Sequence, residues 1–178
     1  MRKYMRIAFG VFRLLVEWIL NFGKLKIHGI RYCISSGTGI WIHSGGRCDL
    51  GKKTWLSENC RIESHGGNIV FGYNNFFNTN CRIISMGSIT IGDNNLFGPN
   101  VVVVDHNHIY SDSSELICKQ GFSIAPVKIG SDIWVGSNVT ICEGVEICDH
   151  VVIGANSVVA KSILKPGVYV GSPVRKIR

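Results

Sequence analysis

Aliphatic residues recur every six positions through the C-terminal part of the chain, at Ile129, Val135, Ile141, Ile147, Ile153 and Val159. An amphipathic helix repeats its apolar face every three to four residues and a half-buried strand every two, so this period belongs to neither element alone. It fits a parallel β-helix. There each hexad forms one short flat side and a turn, three hexads close a coil of about 18 residues, and the recurring aliphatic stacks on its counterpart one coil away. Gly130, Gly136 and Gly154 follow the repeated aliphatics, and Ser131-Asp132, Ser137-Asn138 and Ala155-Asn156 fill the solvent-facing turns.

The same phase runs backwards through Ile91-Gly92-Asp93-Asn94-Asn95-Leu96, Phe97-Gly98-Pro99-Asn100, Phe71-Gly72-Tyr73-Asn74-Asn75-Phe76, Phe77-Asn78-Thr79-Asn80-Cys81-Arg82, and the pair Leu50-Gly51 and Leu56-Ser57. Hexad starts at Leu50, Phe71 and Ile91 lie 21 and 20 residues apart, whereas Ile91 and Ile129 lie 38 apart. One coil therefore carries an excess of 20 residues, assigned to a loop over 104–127 that contains Asp105-His106-Asn107-His108. Such an excursion is costly to order and usually functional. The pattern divides the chain into a helical segment over 1–26 and a solenoid over 27–178, with a tail over 165–178.

The helical segment has its own pattern. At helical spacing Arg2, Arg6, Arg13, Glu17 and Lys24 share one narrow polar stripe, while Ile7, Val11, Leu14, Leu15, Trp18, Ile19 and Phe22 cover most of the rest. Arg13 and Glu17 interrupt it as a spanning segment or signal-peptide core. Two roles remain for residues 1–22: an interfacial helix at the inner face of the cytoplasmic membrane, with Arg2, Lys3 and Arg6 near lipid phosphates, or a cap on the open end of the solenoid or between subunits.

At 46% hydrophobic and 17% charged, the 178-residue chain can bury a continuous core and is too apolar for disorder. Its net charge of +7 concentrates near the two ends. Basic clusters meet anionic lipid, nucleic acid or phosphorylated cofactors, but the interleaved aromatics of a nucleic-acid groove are missing, so no nucleic-acid partner is expected. The seven cysteines are odd in number and lack a CxxC pair. Cys60 and Cys81 occupy inward hexad positions, Cys142 and Cys148 follow core aliphatics, and Cys118 lies in the loop as a spectator thiol, which suits a reducing cytoplasm.

The hexads, the Asp105-His106-Asn107-His108 loop, the run Ile129 to Asn138 around Trp134, and the ending Val170-Gly171-Ser172-Pro173-Val174-Arg175-Lys176-Ile177 together resemble the hexapeptide-repeat acyltransferases. The nearest branch is the sugar O-acetyltransferases of galactoside, maltose, nodulation-factor, O-antigen and capsule type. The resemblance spans Leu50 to Arg178. It implies a left-handed parallel β-helix, a homotrimer with active sites between subunits, acetyl-coenzyme A as donor, a sugar of surface polysaccharide or of its lipid-linked or nucleotide-linked precursor as acceptor, and no metal.

Residue by residue, the resemblance implies His106 as general base beside Asp105, with His108 in reserve, and the Ser137 backbone N–H as oxyanion donor. Trp134, Ala155, Ala160, Lys161 and Arg175 fall where the family lines its coenzyme groove. Asn78, Asn80 and Ser85 fall on the acceptor side, where Ser85-Met86 replace the acidic pair of the galactoside enzymes. Acyl transfer to a hydroxyl needs a base for the proton and donors for the developing oxyanion, and neutral imidazole is abundant near pH 7. Alternatives are N-acetylation of an amino sugar or other small amine, serine O-acetylation, which normally requires a larger N-terminal helical domain, and a non-catalytic binding solenoid. A γ-type carbonic anhydrase shares the fold, but His106 and His108 are too close together for its zinc spacing, and His65 and His150 are far off in the walk.

Overall fold

A computed structural model describes residues 2–28 and 32–178, with the backbone alone for residues 2–8. The hexads fold into six coils of a parallel solenoid, with three sheets as its flat sides. Sheet A stacks Leu25–Ile27, Arg47–Leu50, Asn68–Phe71, Ser88–Ile91, Val127–Ile129 and Glu146–Ile147. Sheet B stacks Cys33–Ile34, Trp55–Leu56, Phe76–Phe77, Leu96–Phe97, Trp134–Val135 and Val151–Ile153, and ends in Gly167–Val170 and the antiparallel Arg175–Lys176. Sheet C stacks Gly39–His43, Arg61–His65, Arg82–Ser85, Val102–Val104, Thr140–Ile141 and Val158–Val159.

Strand register puts like on like. Ile89 pairs with Ile69 and Val127, Phe97 with Phe77 and Val135, and Val103 with Ile83 and Ile141, so each inward column is a continuous apolar ladder. Phe77 and Phe97 stack with ring centroids 4.4 Å apart. The corners need left-handed backbone, which Asn and Asp tolerate. Asn80, Asn100, Asn138 and Asn156, with φ between 57° and 61°, form one such column at the corner between sheets B and C, each amide bonding to the next at 2.8–3.1 Å. Gly51 is required for a different reason: a Cβ there would lie 1.9 Å from the Gly72 carbonyl oxygen one coil away. Cys48, Cys60 and Cys81 are buried in the core, while Cys118 is exposed.

Helix α1 (Arg2–Leu20) covers the open end of the first coil. Polar side chains at and just past its C-terminal half face the solenoid beside the buried Leu14: Glu17 Oε2 accepts the Ile40 N–H at 3.1 Å, Asn21 Nδ2 donates to Ile40 O at 2.9 Å, and the Arg13 guanidinium donates to Thr38 O. Those strand-edge groups have no earlier coil to bond, so side chains take its place. Gly10 lets the helix approach closely, its Cβ position being 3.1 Å from Ile34 N. Burial raises the pKa of Glu17 against the opposing Ile40 N–H and Arg13 charge. The side chains of Arg2, Lys3 and Arg6, expected near lipid phosphates, lie outside the described residues.

Candidate active site

The 20-residue excess is a β-hairpin. After Val104 the chain leaves the corner between sheets C and A, pairs His106–His108 antiparallel with Phe122–Ile124, and re-enters sheet A at Val127. Asp105 is the hinge of this departure and is fully buried. Its carboxylate accepts hydrogen bonds from Ser85 Oγ at 2.6 Å, Met86 N–H at 2.8 Å and Gly87 N–H at 2.9 Å, all from the corner one coil earlier. Its carbonyl accepts the Ala125 N–H on the returning limb at 2.9 Å. Gly87 is small because the hairpin lies on it; a Cβ there would come 2.5 Å from Ile124 Cγ2. Burial acts to raise the Asp105 pKa, but the bonds from Ser85, Met86, Gly87 and His106 outweigh it and hold the carboxyl below its usual range.

The remaining contact of that carboxylate is to His106, whose Nδ1 lies 3.2 Å from Oδ1. An ionised carboxylate can only accept, so it selects the tautomer protonated at Nδ1 and leaves Nε2 with a free lone pair. The ring packs edge-on against Phe122 with centroids 5.8 Å apart, and its side chain is 18% exposed. His108 also packs on Phe122, at 4.5 Å, but among the described residues its ring has no polar partner. The two histidines that the sequence left in competition thus differ in one decisive respect. Among the described residues no three His, Cys, Asp or Glu side chains converge as metal ligands; His65 stacks on His43, and His150 pairs with Asp132.

A second feature lies at the corner between sheets B and C. Asn78, Pro99, Trp134, Ser137, Val152 and Ala155 line a groove of about 450 Å³ together with backbone of Gly98, Gly136 and Gly154. Four expected site residues meet here, including Asn78 from the acceptor set. Trp134 is 58% exposed, so packing across coils does not explain it. The Ser137 N–H has no hydrogen-bond partner among the described residues, whereas the adjacent Gly136 N–H joins the ladder to Ile153 O at 2.8 Å. Gly136 keeps the floor low, since its Cβ would stand 2.6 Å from Ala155 N.

Other expected positions lie elsewhere. Asn80 belongs to the corner asparagine column, its amide donated to Asn100. Ser85 is fully buried beneath Asp105, with its hydroxyl spent on that carboxylate rather than open to a sugar. Ala160 and Lys161 are exposed just past the last strand of sheet C, one corner beyond Ala155. Arg175 is exposed on the terminal strand of sheet B. Sequence reasoning missed Gly87 and Phe122; an aromatic opposite two histidines in a hairpin register was the available signal for Phe122.

The hairpin and the groove occupy different edges of one prism, so a single chain does not bring His106 to Ser137. Over 80% of its length the chain superposes on 69% of a maltose O-acetyltransferase from Clostridium difficile, with 36% sequence identity and a TM-score of 0.59. The chain belongs to the hexapeptide-repeat acetyltransferases. Residues 126–161 match the bacterial transferase hexapeptide family (six repeats). A hexapeptide-repeat acetyltransferase from Vibrio cholerae, solved with acetyl coenzyme A, shares 30% identity over 75% of this chain and 70% of its own, with a TM-score of 0.63. Galactoside O-acetyltransferase of Escherichia coli is 38% identical over 130 residues; the alignment covers 72% of this chain and 62% of that enzyme's length. In this member of the family, Asp105-His106-Asn107-His108 lies on the hairpin and Trp134, Ser137 and Ala155 on the groove.

Proposed function

We propose that this protein transfers an acetyl group from acetyl-coenzyme A to a hydroxyl of a sugar acceptor, in surface polysaccharide or in its lipid-linked or nucleotide-linked precursor. The observation that carries this reading is His106 held by the buried Asp105 carboxylate. His106 Nε2 removes the hydroxyl proton as the oxygen attacks the thioester carbonyl carbon. Asp105 stabilises the resulting imidazolium. The Ser137 N–H donates to the oxyanion, and collapse breaks the carbon–sulfur bond; the leaving thiolate recovers the proton from His106.

The groove suits the donor. Trp134 offers an exposed aromatic wall and Ala155 a shallow floor for a pantetheine arm. Sheet B then runs from the Trp134 strand through those of Val152 and Val168 to Arg175–Lys176. Three strand steps span about 14 Å, which places cations at phosphate distance from a thioester near Ser137. Lys161 adds a further cation from the neighbouring corner. Asn78 in the same groove supports its role on the acceptor side.

The active unit in this reading is a homotrimer, with His106 of one copy facing the groove of the next. The outer face of sheet B supports the contact: Trp55, the half-buried Phe76, Leu96 and Trp134 stand in register on successive strands, an apolar stripe beside the groove.

The test is thiol release from acetyl-coenzyme A against nucleotide sugars, simple glycosides and lipid-linked oligosaccharides, with His106→Ala in parallel. Turnover on one acceptor class that collapses in the variant is the expected result. Activity surviving in the variant moves the base elsewhere, and absence of coenzyme A binding overturns the enzyme reading.

A further inference from the structure

Over residues 9–20 the face of α1 turned away from the solenoid is apolar. Phe9, Phe12, Leu15, Val16, Ile19 and Leu20 are 39–74% exposed, and Phe22 just past the helix end is 73% exposed. At about 100° per residue the six helical positions fill an arc of about 140° that contains no polar residue between Phe9 and Leu20. The polar residues that would normally face water, Arg13, Glu17 and Asn21, are instead committed to the first coil. Exposed apolar surface of this extent marks a contact that the isolated chain does not make.

Charge says what covers it. Residues 1–48 contain eight Lys and Arg and one carboxylate, Glu17, whereas residues 49–178 hold eleven of each sign. The first 48 residues therefore carry a net charge of +7, and the remainder balances. Glu17 faces inward to the Ile40 N–H, and Asp49, on the strand next to Leu25–Ile27, pairs with Lys26 at 3.2 Å. A second copy placed against this face would bring the same positive charge and be repelled; an anionic lipid surface brings the opposite charge and an apolar interior. Among the described residues no helix is long and apolar enough to cross a membrane. An in-plane helix with its apolar side down, in a basic stretch of sequence, is what remains.

We propose that the outward face of α1 docks the protein on anionic lipid bilayers, with the first coil nearest the membrane and the solenoid standing end-on. The orientation follows from the packing: α1 lies over the first coil, so its opposite face points out along the solenoid axis. The docking does not depend on which acceptor is acetylated, and its readout is independent of turnover.

The test is cosedimentation of the full chain with vesicles of phosphatidylcholine containing about one third phosphatidylglycerol, against phosphatidylcholine alone. Binding to the anionic vesicles, weakened by about 0.5 M salt, is the expected result. Phe12→Gln combined with Ile19→Gln lowers the partition coefficient by roughly tenfold or more, while thermal melting and coenzyme A binding stay unchanged. No binding by the native chain, or equal binding by the double variant, overturns the proposal. So does a change of oligomeric mass in the double variant by light scattering, which would make the face a protein interface.

Discussion

Replacing Asp105 by Asn separates the carboxylate's charge from its shape. The native group accepts four hydrogen bonds, from Ser85, Met86, Gly87 and His106, at 2.6–3.2 Å. An amide of nearly the same size has one end that donates. With its oxygen toward Met86 and His106, its NH2 meets Ser85, whose hydroxyl can reverse, and the Gly87 N–H, which cannot. One orphaned buried N–H costs about 1–3 kcal/mol, or about 2–12 °C of Tm for a chain of this size. The opposite orientation strands the Met86 N–H and makes His106 accept at Nδ1, moving the proton onto the atom that the base must keep free.

In both orientations the imidazolium formed during attack loses its counter-charge. A hydrogen bond to a charged group is worth about 1.5–3 kcal/mol against about 0.5–1.5 for a neutral one. The difference of about 1–2 kcal/mol corresponds to roughly 5–30-fold in kcat, and the 3.2 Å Nδ1 to Oδ1 distance favours the lower half. The assay is kcat by thiol release at saturating coenzyme across about pH 5.5–9, the range in which His titrates, with melting curves in parallel. A folded variant whose kcat stays within about twofold would refute the positioning role.

Three further outcomes follow from the geometry. Because the folded pKa of Asp105 lies below its unfolded value of about 3.9, the unfolded chain takes up the proton first on acidification; the group's stabilisation is complete above about pH 5 and lost as pH falls through the folded pKa. The gap in urea midpoint between the native chain and Asp105→Asn should therefore close in acid. Trp134→Ala should raise KM for acetyl-coenzyme A by roughly tenfold and leave stability within about 0.5 kcal/mol, since the side chain is mostly exposed. Gly51→Ala should cost about 1–3 kcal/mol or more in urea unfolding, because the added methyl meets backbone rather than a movable side chain.

The solenoid was legible because its core repeats the same physical demand every coil: Ile129, Val135 and Ile141 point inward at a period no other element uses. The hairpin could be located by subtraction, and Trp134, Ser137 and Ala155 line one groove while Ala160, Lys161 and Arg175 lie outside it. What was not legible depended on pairings between coils. Ser85 looked available for substrate, yet its partner is Asp105, 20 residues onward and one coil up. Likewise the sequence left α1 between a membrane role and a cap, and did not show that Arg13 and Glu17 would bond backbone groups of Thr38 and Ile40 at the solenoid end. Periodicity encodes which residues point inward, but not which unsatisfied edge a distant polar side chain will complete.

That edge has a further consequence. A parallel β-helix has no intrinsic reason to stop at six coils, since each end offers the hydrogen-bonding template on which another coil, or another molecule, can add. Glu17, Asn21 and Arg13 act as chain terminators for sheet growth at the first coil, and the antiparallel Arg175–Lys176 strand breaks the parallel order at the other end of sheet B. A chain deprived of α1 would lose more than a surface: with its first coil bare, it becomes a seed for head-to-tail fibres.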